Sequence, residues 1–227
     1  YIAEMVRQEM VALYGENAYT QGFSVYTTID DELQRSSQNS VRQGLLEYDQ
    51  RHGYRGPEAR LLHEQWSTAL TNSKTYANLI PAIVTAVEND HIRVTLKGGS
   101  QETVAWSSMR WARPFLSSRS MGRVPANPDH VVQVGDLIRV QQNNDEQYQF
   151  AQLPKVQSAL VSLDPHSGAI KALSGGLSFG QSSFNRAVQA KRQTGSSFKP
   201  FIYSAVLDAG YTAASMVNDA PLEVFEP

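Results

Sequence analysis

The 227-residue chain contains no cysteine. That excludes a disulfide framework, thiol nucleophiles and every metal site built on thiolates. No apolar run approaches the ~20 residues of a membrane-spanning helix, and no secretory leader opens the chain. Neither sign of charge is in excess. Twenty basic and 22 acidic side chains give a net charge of −2, so no global field points to nucleic acid or an anionic membrane. The five histidines (His52, His63, His91, His130, His166) are scattered and never show ligand spacing. They read as surface residues, and no metal or organic cofactor is expected. A hydrophobic fraction of 41% suits a folded globular chain of one large domain or two small ones.

Hydrophobic period then separates the regions. Ile2, Met5, Val6, Met10 and Leu13 follow helical spacing, which Tyr14-Gly15 ends. Phe23 to Ile29 reads as a strand. Thr28-Ile29-Asp30-Asp31 fits a capping box for a helix carrying Leu33, Val41, Leu45 and Tyr48 along one side. His52-Gly53-Tyr54-Arg55-Gly56-Pro57 breaks that helix and marks a boundary.

From about 78 to 154 the period becomes two. Ile80–Val87 and His91–Leu96 flank a hairpin turn at Asn89-Asp90, and Glu102–Trp106, Val131–Val140 and Tyr148–Leu153 bring the set to roughly five strands. Five short strands with glycine turns fit a small Greek-key barrel of the OB type. Between them, Trp106 to Arg123 holds four arginines, no acid and three large aromatics, Trp106, Trp111 and Phe115. On an OB barrel this composition suits nucleic-acid stacking. The near-neutral chain favours a loop that packs its aromatics on the barrel, and a protein docking surface is the third reading.

From 156 the chain turns α+β. Ala159, Val161 and Leu163 alternate, Asp164-Pro165-His166-Ser167-Gly168 makes a turn, and Ile170-Lys171-Ala172-Leu173 returns. Asp164 and Asp208 read as turn and helix-end residues. Phe198 to Leu207 is apolar on nearly all sides, the mark of a buried helix. Just before it stand Ser196 and Lys199. On a helix, residues i and i+3 share a face, so the lysine amine can approach the serine hydroxyl. A serine becomes a nucleophile once a base takes its proton, and a desolvated lysine is such a base. Spacing alone is weak, since chance would give ~0.6 Ser-x-x-Lys matches in a chain of this composition. The flanking sequence decides.

Gln157 to Gly176, then Phe184-Asn185-Arg186-Ala187, then Ser196-Ser197-Phe198-Lys199 follow one another in a familiar order. The chain closely resembles the opening of the transpeptidase domain in bifunctional (class A) penicillin-binding proteins, densely over 157–212. Val25-Tyr26-Thr27-Thr28-Ile29-Asp30 with Glu32-Leu33-Gln34 resembles the linker strand and helix before that domain. Thr194 departs from the pattern, where such sequences often have proline. The resemblance implies a peptidoglycan D,D-transpeptidase in which Ser196 is acylated by the stem peptide or by a β-lactam. It implies Lys199 as base, the Ser196 N–H as one oxyanion donor, and no cofactor. A glycosyltransferase in the parent protein and a regulatory protein docked on the barrel are further implications. So is a place on the periplasmic side of the bacterial inner membrane, held by an N-terminal anchor outside this sequence.

Such a site also needs Ser-x-Asn and Lys-Thr-Gly (or Lys-Ser-Gly) motifs, and neither follows residue 199. Ser37-Gln38-Asn39 and Ser183-Phe184-Asn185 lie upstream, and Lys97-Gly98-Gly99 lacks the hydroxyl residue, so all three read as coincidences. The chain, ending on Phe225-Glu226-Pro227, reads as an internal fragment. The expected architecture is α+β: a linker region over 1–54, an OB-like β-barrel inserted over 55–155, and over 156–227 the start of a truncated penicillin-binding transpeptidase (serine β-lactamase-like) domain. The rival is a non-catalytic interaction module acting through the barrel; a nucleic-acid-binding OB protein ranks last.

Overall fold

The computed structural model describes residues 1–218 and 220. The ending at Phe225-Glu226-Pro227 lies outside the described residues. The chain forms two compact units, Tyr1–Ala190 and a second beginning at Lys191.

The first unit opens on α1 (Ile2–Tyr14), closed by Gly15, and the short α2 (Asn17–Thr20). Helix α3 (Asp31–His52) follows. Its cap is Asp30, whose carboxylate accepts the Leu33 N–H at 2.9 Å. The expected cap at Thr28 is corrected, because a capping oxygen must sit next to the first helical residue to reach the free N–H groups. Thr28 donates its hydroxyl to the Ile170 carbonyl at 2.7 Å instead. The expected strand over 23–29 is also absent. Among the described residues this stretch has no ladder partner: the contacts that fix its end are that hydroxyl bond and the Asp30 N–H on the Lys171 carbonyl at 2.9 Å. Phe23, Val25 and Tyr26 remain exposed.

Next come β1 (Ala59–Arg60), α4 (Trp66–Asn72), β2 (Ile80–Val87), β3 (His91–Leu96) and β4 (Gln101–Ala105). The small hairpin of β5 (Phe115–Ser117) and β6 (Ser120–Met121) precedes β7 (Asp136–Gln142) and β8 (Tyr148–Ala151). β2, β3 and β4 form an antiparallel meander, β7 pairs with β2 and β8, and β8 meets β4 in parallel. That order closes a five-stranded barrel of OB type. Strand β7 starts five residues later than expected, because Pro128–His130 takes a 3-10 turn that Val131 closes. Proline fixes its own φ and favours such a helical start over a ladder.

In β3, Ile92, Val94 and Leu96 are buried while Arg93 is exposed, the alternation that one filled face demands. Val84, Ile92, Val94, Val104, Ile138, Val140 and Phe150 fill the barrel with Tyr54 and Met109. Full burial of one such side chain contributes roughly 1.5–3 kcal/mol. The core also holds charge. Asp136, fully buried, accepts from Arg60 at 2.8 Å and from the Gln133 N–H at 2.8 Å. Arg139 donates to both oxygens of Glu58 at 2.6 and 2.8 Å and to the Lys74 carbonyl at 2.6 Å.

The chain enters and leaves the barrel at one place. Gln152 donates to the Gly53 carbonyl at 2.9 Å and accepts the Arg55 N–H at 3.1 Å. The Arg55 guanidinium grips both oxygens of Asp49, on α3, at 2.7 and 2.8 Å, and also the Leu153 carbonyl at 2.8 Å. Gly53 turns here with φ 94°, and a Cβ on it would stand 2.7 Å from the Arg113 carbonyl oxygen, so no other residue fits without strain. After the barrel, β9 (Leu160–Leu163) and β10 (Ile170–Ser174) form a two-stranded sheet on which α3 packs. The second unit carries α5 (Lys199–Asp208).

Candidate functional site

The segment 175–189 is ordered within the first unit. Asn185 is buried and accepts the Gln189 N–H at 2.8 Å through its carbonyl, while the Arg186 N–H reaches the Gly175 carbonyl at 3.2 Å. A Cβ on Gly175 would collide with the Asn185 side-chain oxygen. The Gly175-Gly176 pair is therefore a close backbone approach, the stronger of the two uses that its sequence allows.

In the second unit, Gly195–Phe198 is one 3-10 turn that runs directly into α5. The Lys199 N–H donates to the Ser196 carbonyl and closes that turn. In a 3-10 turn residues i and i+3 eclipse, so Ser196 and Lys199 project from the same side. The two predicted site residues are thus brought onto one face of one turn. A hydroxyl and an amine on one face of a turn are, in kind, a nucleophile and a base.

The surroundings differ from expectation. Phe201, Ile202, Tyr203, Val206 and Leu207 are all exposed, Phe201 by 68%. The expected burial of this helix is corrected for this chain: its apolar residues lie on all sides, as a core helix requires, yet they face solvent. Ser196 and Lys199 are exposed too, so desolvation of the lysine is not supplied here.

The three look-alike motifs have structural work. Ser37 donates its hydroxyl to Ser174 in a buried pair at 2.9 Å, and Asn185 orders its own turn. Lys97 donates to the Thr71 carbonyl at 2.8 Å. In the arginine-rich segment, Trp106 and Trp111 pack against the barrel core, with the Trp111 ring centroid 5.7 Å from that of Phe150. Phe115 and Leu116, on the β5–β6 hairpin, are exposed. Two of the three aromatics are thus turned inward and offer no stacking platform.

A cavity of about 500 Å³ lies against the barrel junction, lined by Tyr54, Arg55, Glu58, Arg139, Gln152 and Lys155 among others. Burial, reinforced by the charges of Asp136 and Glu58, pushes the Tyr54 hydroxyl well above its ordinary pKa. The cavity was not foreseen in the sequence, because its walls come from segments about a hundred residues apart.

Comparison with known proteins places this geometry. Residues 54–156 match the family model described as penicillin-binding protein OB-like domain. Penicillin-binding protein 1A of Pseudomonas aeruginosa is 57% identical over 225 residues, which cover 98% of this chain and 27% of that protein. The protein of the same name from Escherichia coli is 46% identical over 231 residues, covering 98% and 27%. The crystal structure of penicillin-binding protein 1A from Haemophilus influenzae superposes with a TM-score of 0.82 at 39% identity, covering all of this chain and 33% of that one. The chain thus spans about a quarter to a third of the length of the relatives it matches.

Proposed function

Starting from a chain that belongs to the penicillin-binding proteins, we propose that the longer protein of which it is a segment cross-links peptidoglycan through an acyl-enzyme on Ser196. The single observation that carries this is the closed turn from Ser196 to Lys199 at the head of an apolar helix. Lys199 takes the proton of the Ser196 hydroxyl as its oxygen attacks the carbonyl carbon of a D-Ala-D-Ala stem. The peptide C–N bond breaks, D-alanine leaves with a proton, and the amine of a second stem displaces the serine to form the cross-link. β-Lactams acylate the same oxygen when their ring amide opens. The Ser196 N–H supports the developing oxyanion. The reading includes a glycosyltransferase elsewhere in the longer protein and a place on the periplasmic side of the inner membrane.

A second reading rests on the β5–β6 hairpin. Exposed Phe115 and Leu116 beside the basic Arg119 suit the docking of a regulatory protein on the barrel. The two readings are compatible, and the first is tested directly. In the full-length protein Ser196→Ala should abolish covalent labelling by fluorescent penicillin, whereas Ser197→Ala should retain most of it. Equal labelling of the two variants would overturn the assignment.

A further inference from the structure

Three arginines that reach into the first unit end on a carboxylate, Arg55 on Asp49 at 2.7 Å, Arg60 on Asp136 at 2.8 Å and Arg139 on Glu58 at 2.6 Å, while Arg113 and Arg186 end on backbone carbonyls. Arg42 does neither. Its Nε is buried without a hydrogen-bond partner, and among the described residues no carboxylate lies within 4.0 Å of it. The side chain leaves α3 toward a cavity of about 350 Å³ that also meets α1, the end of β10 and the residues after it. Among the described residues no acid lines that cavity.

The other polar groups there sort into spent and unspent. Gln34 uses its amide on both backbone groups of Leu173, at 3.0 and 2.9 Å. Ser174 already accepts from Ser37. Gln38 and Ser178 line the same space and, among the described residues, make no side-chain hydrogen bond. A guanidinium, an amide and a hydroxyl therefore line one cavity with no protein partner among the described residues.

We propose that this cavity is a carboxylate-binding site, with Arg42 as the anion receptor and Gln38 and Ser178 as supporting donors. The guanidinium fork matches the two oxygens of a carboxylate in its own plane. A phosphate, with nearly two charges, asks for more than one cation or for a nest of backbone N–H groups, and among the described residues Arg42 is the one cationic side chain in the lining. Two sources carry the same chemistry: a free small carboxylate, or an Asp or Glu side chain from the longer protein. Neither depends on the serine chemistry proposed above.

The test uses the full-length protein and acetate as probe. Melting in sodium acetate is compared with melting in sodium chloride of equal ionic strength at neutral pH. A saturable rise in Tm with acetate that Arg42→Gln removes, and Arg42→Lys weakens, assigns a free carboxylate. If acetate is silent, a crystal structure of the full-length protein with an Asp or Glu oxygen on the Arg42 guanidinium assigns the chain's own carboxylate. An acetate response that Arg42→Gln leaves intact overturns the site. So does acetate silence with Arg42 meeting only carbonyl oxygens or water. Penicillin labelling should be unchanged in Arg42→Gln, so failure of this site and failure of the Ser196 reading are separable.

Discussion

The barrel and the serine-bearing turn solve opposite problems. Inside and beneath the barrel, Asp49, Asp136 and Arg139 are almost fully buried, and each meets its counter-charge at 2.6–2.8 Å. At the turn, Ser196 and Lys199 are exposed and lead into a helix whose apolar side chains are exposed with them. The charges of the barrel are paired and buried, whereas the turn has its internal geometry but stands exposed. A fixed backbone turn aligns two groups. It does not lower the local dielectric or exclude water, and both are needed before a lysine acts as a base.

The largest expected effect follows from that contrast. If the second oxyanion donor lies in the longer protein, beyond the Ser196 N–H, a purified 1–227 chain should acylate with penicillin at least about a hundred- to a thousandfold more slowly than the full-length protein, the usual cost of losing one such donor. Stopped-flow or gel-based labelling reads this directly. Rapid stoichiometric labelling of the 1–227 chain would erase the difference between the two regions.

Stability should divide along the same line. Phe150 is 1% exposed at the centre of the barrel core, so Phe150→Ala should cost about 3–5 kcal/mol in denaturant unfolding of this chain. Phe201, 68% exposed on α5, should cost less than about 0.5 kcal/mol when changed to alanine. A large loss at Phe201 would mean that α5 is covered in solution.

Those two phenylalanines also show what the sequence carried and what it did not. The bounds of β2 and β3, Ile80–Val87 and His91–Leu96, match the reading, and β3 alternates as expected. Strand β2 instead buries Pro81 to Val84 in succession, because its second face packs Ile83 against Leu70 of α4. The Ser196–Lys199 face was equally legible, because a single turn sets it. Burial of α5 was misread for a physical reason: an apolar helix states what it would bury against, not whether that layer is present. The cap of α3 was misplaced because Thr28 and Asp30 both precede the helix, but only Asp30 adjoins its first residue, and Thr28 bonds the Ile170 carbonyl instead. The ion pairs of Arg55 and Arg139, and the unpaired Arg42, left no pattern. The partners of Arg55 and Arg139 are six and 81 residues away in sequence, and the Arg42 Nε has none among the described residues.

A smaller effect is expected at the junction that holds the barrel to α3. Asp49→Ala would strand the Arg55 guanidinium, which is 15% exposed, without its counter-charge. Breaking a buried pair in this way costs about 3 kcal/mol, and thermal unfolding should show it. Arg35, by contrast, pairs with Asp31 on the exposed face of α3, and Asp31→Ala should change stability by less than about 1 kcal/mol. Equal effects at the two positions would show that the junction is solvated.

The smallest expected effect lies in the turn between β9 and β10, where Asp164 does for the turn what Asp30 does for α3. Its carboxylate accepts the Ser167 N–H at 2.8 Å, the Ser167 hydroxyl at 2.9 Å and the His166 N–H at 3.0 Å. Those donors, the Ser167 N–H foremost, hold its pKa below the ordinary 3.8. The sign follows from that depression. The ionised form is favoured by folding, so the contribution is complete above the unfolded value of 3.8 and is lost as pH falls through the lower folded value. A carboxyl NMR titration should therefore place the Asp164 midpoint on the acid side of 3.8, and Ser167→Ala, which removes the hydroxyl donor, should move it back upward. The exposed turn screens these charges, so the melting temperature at neutral pH should scarcely change in that variant. A midpoint that stays fixed in Ser167→Ala would show that the backbone N–H groups alone hold the turn.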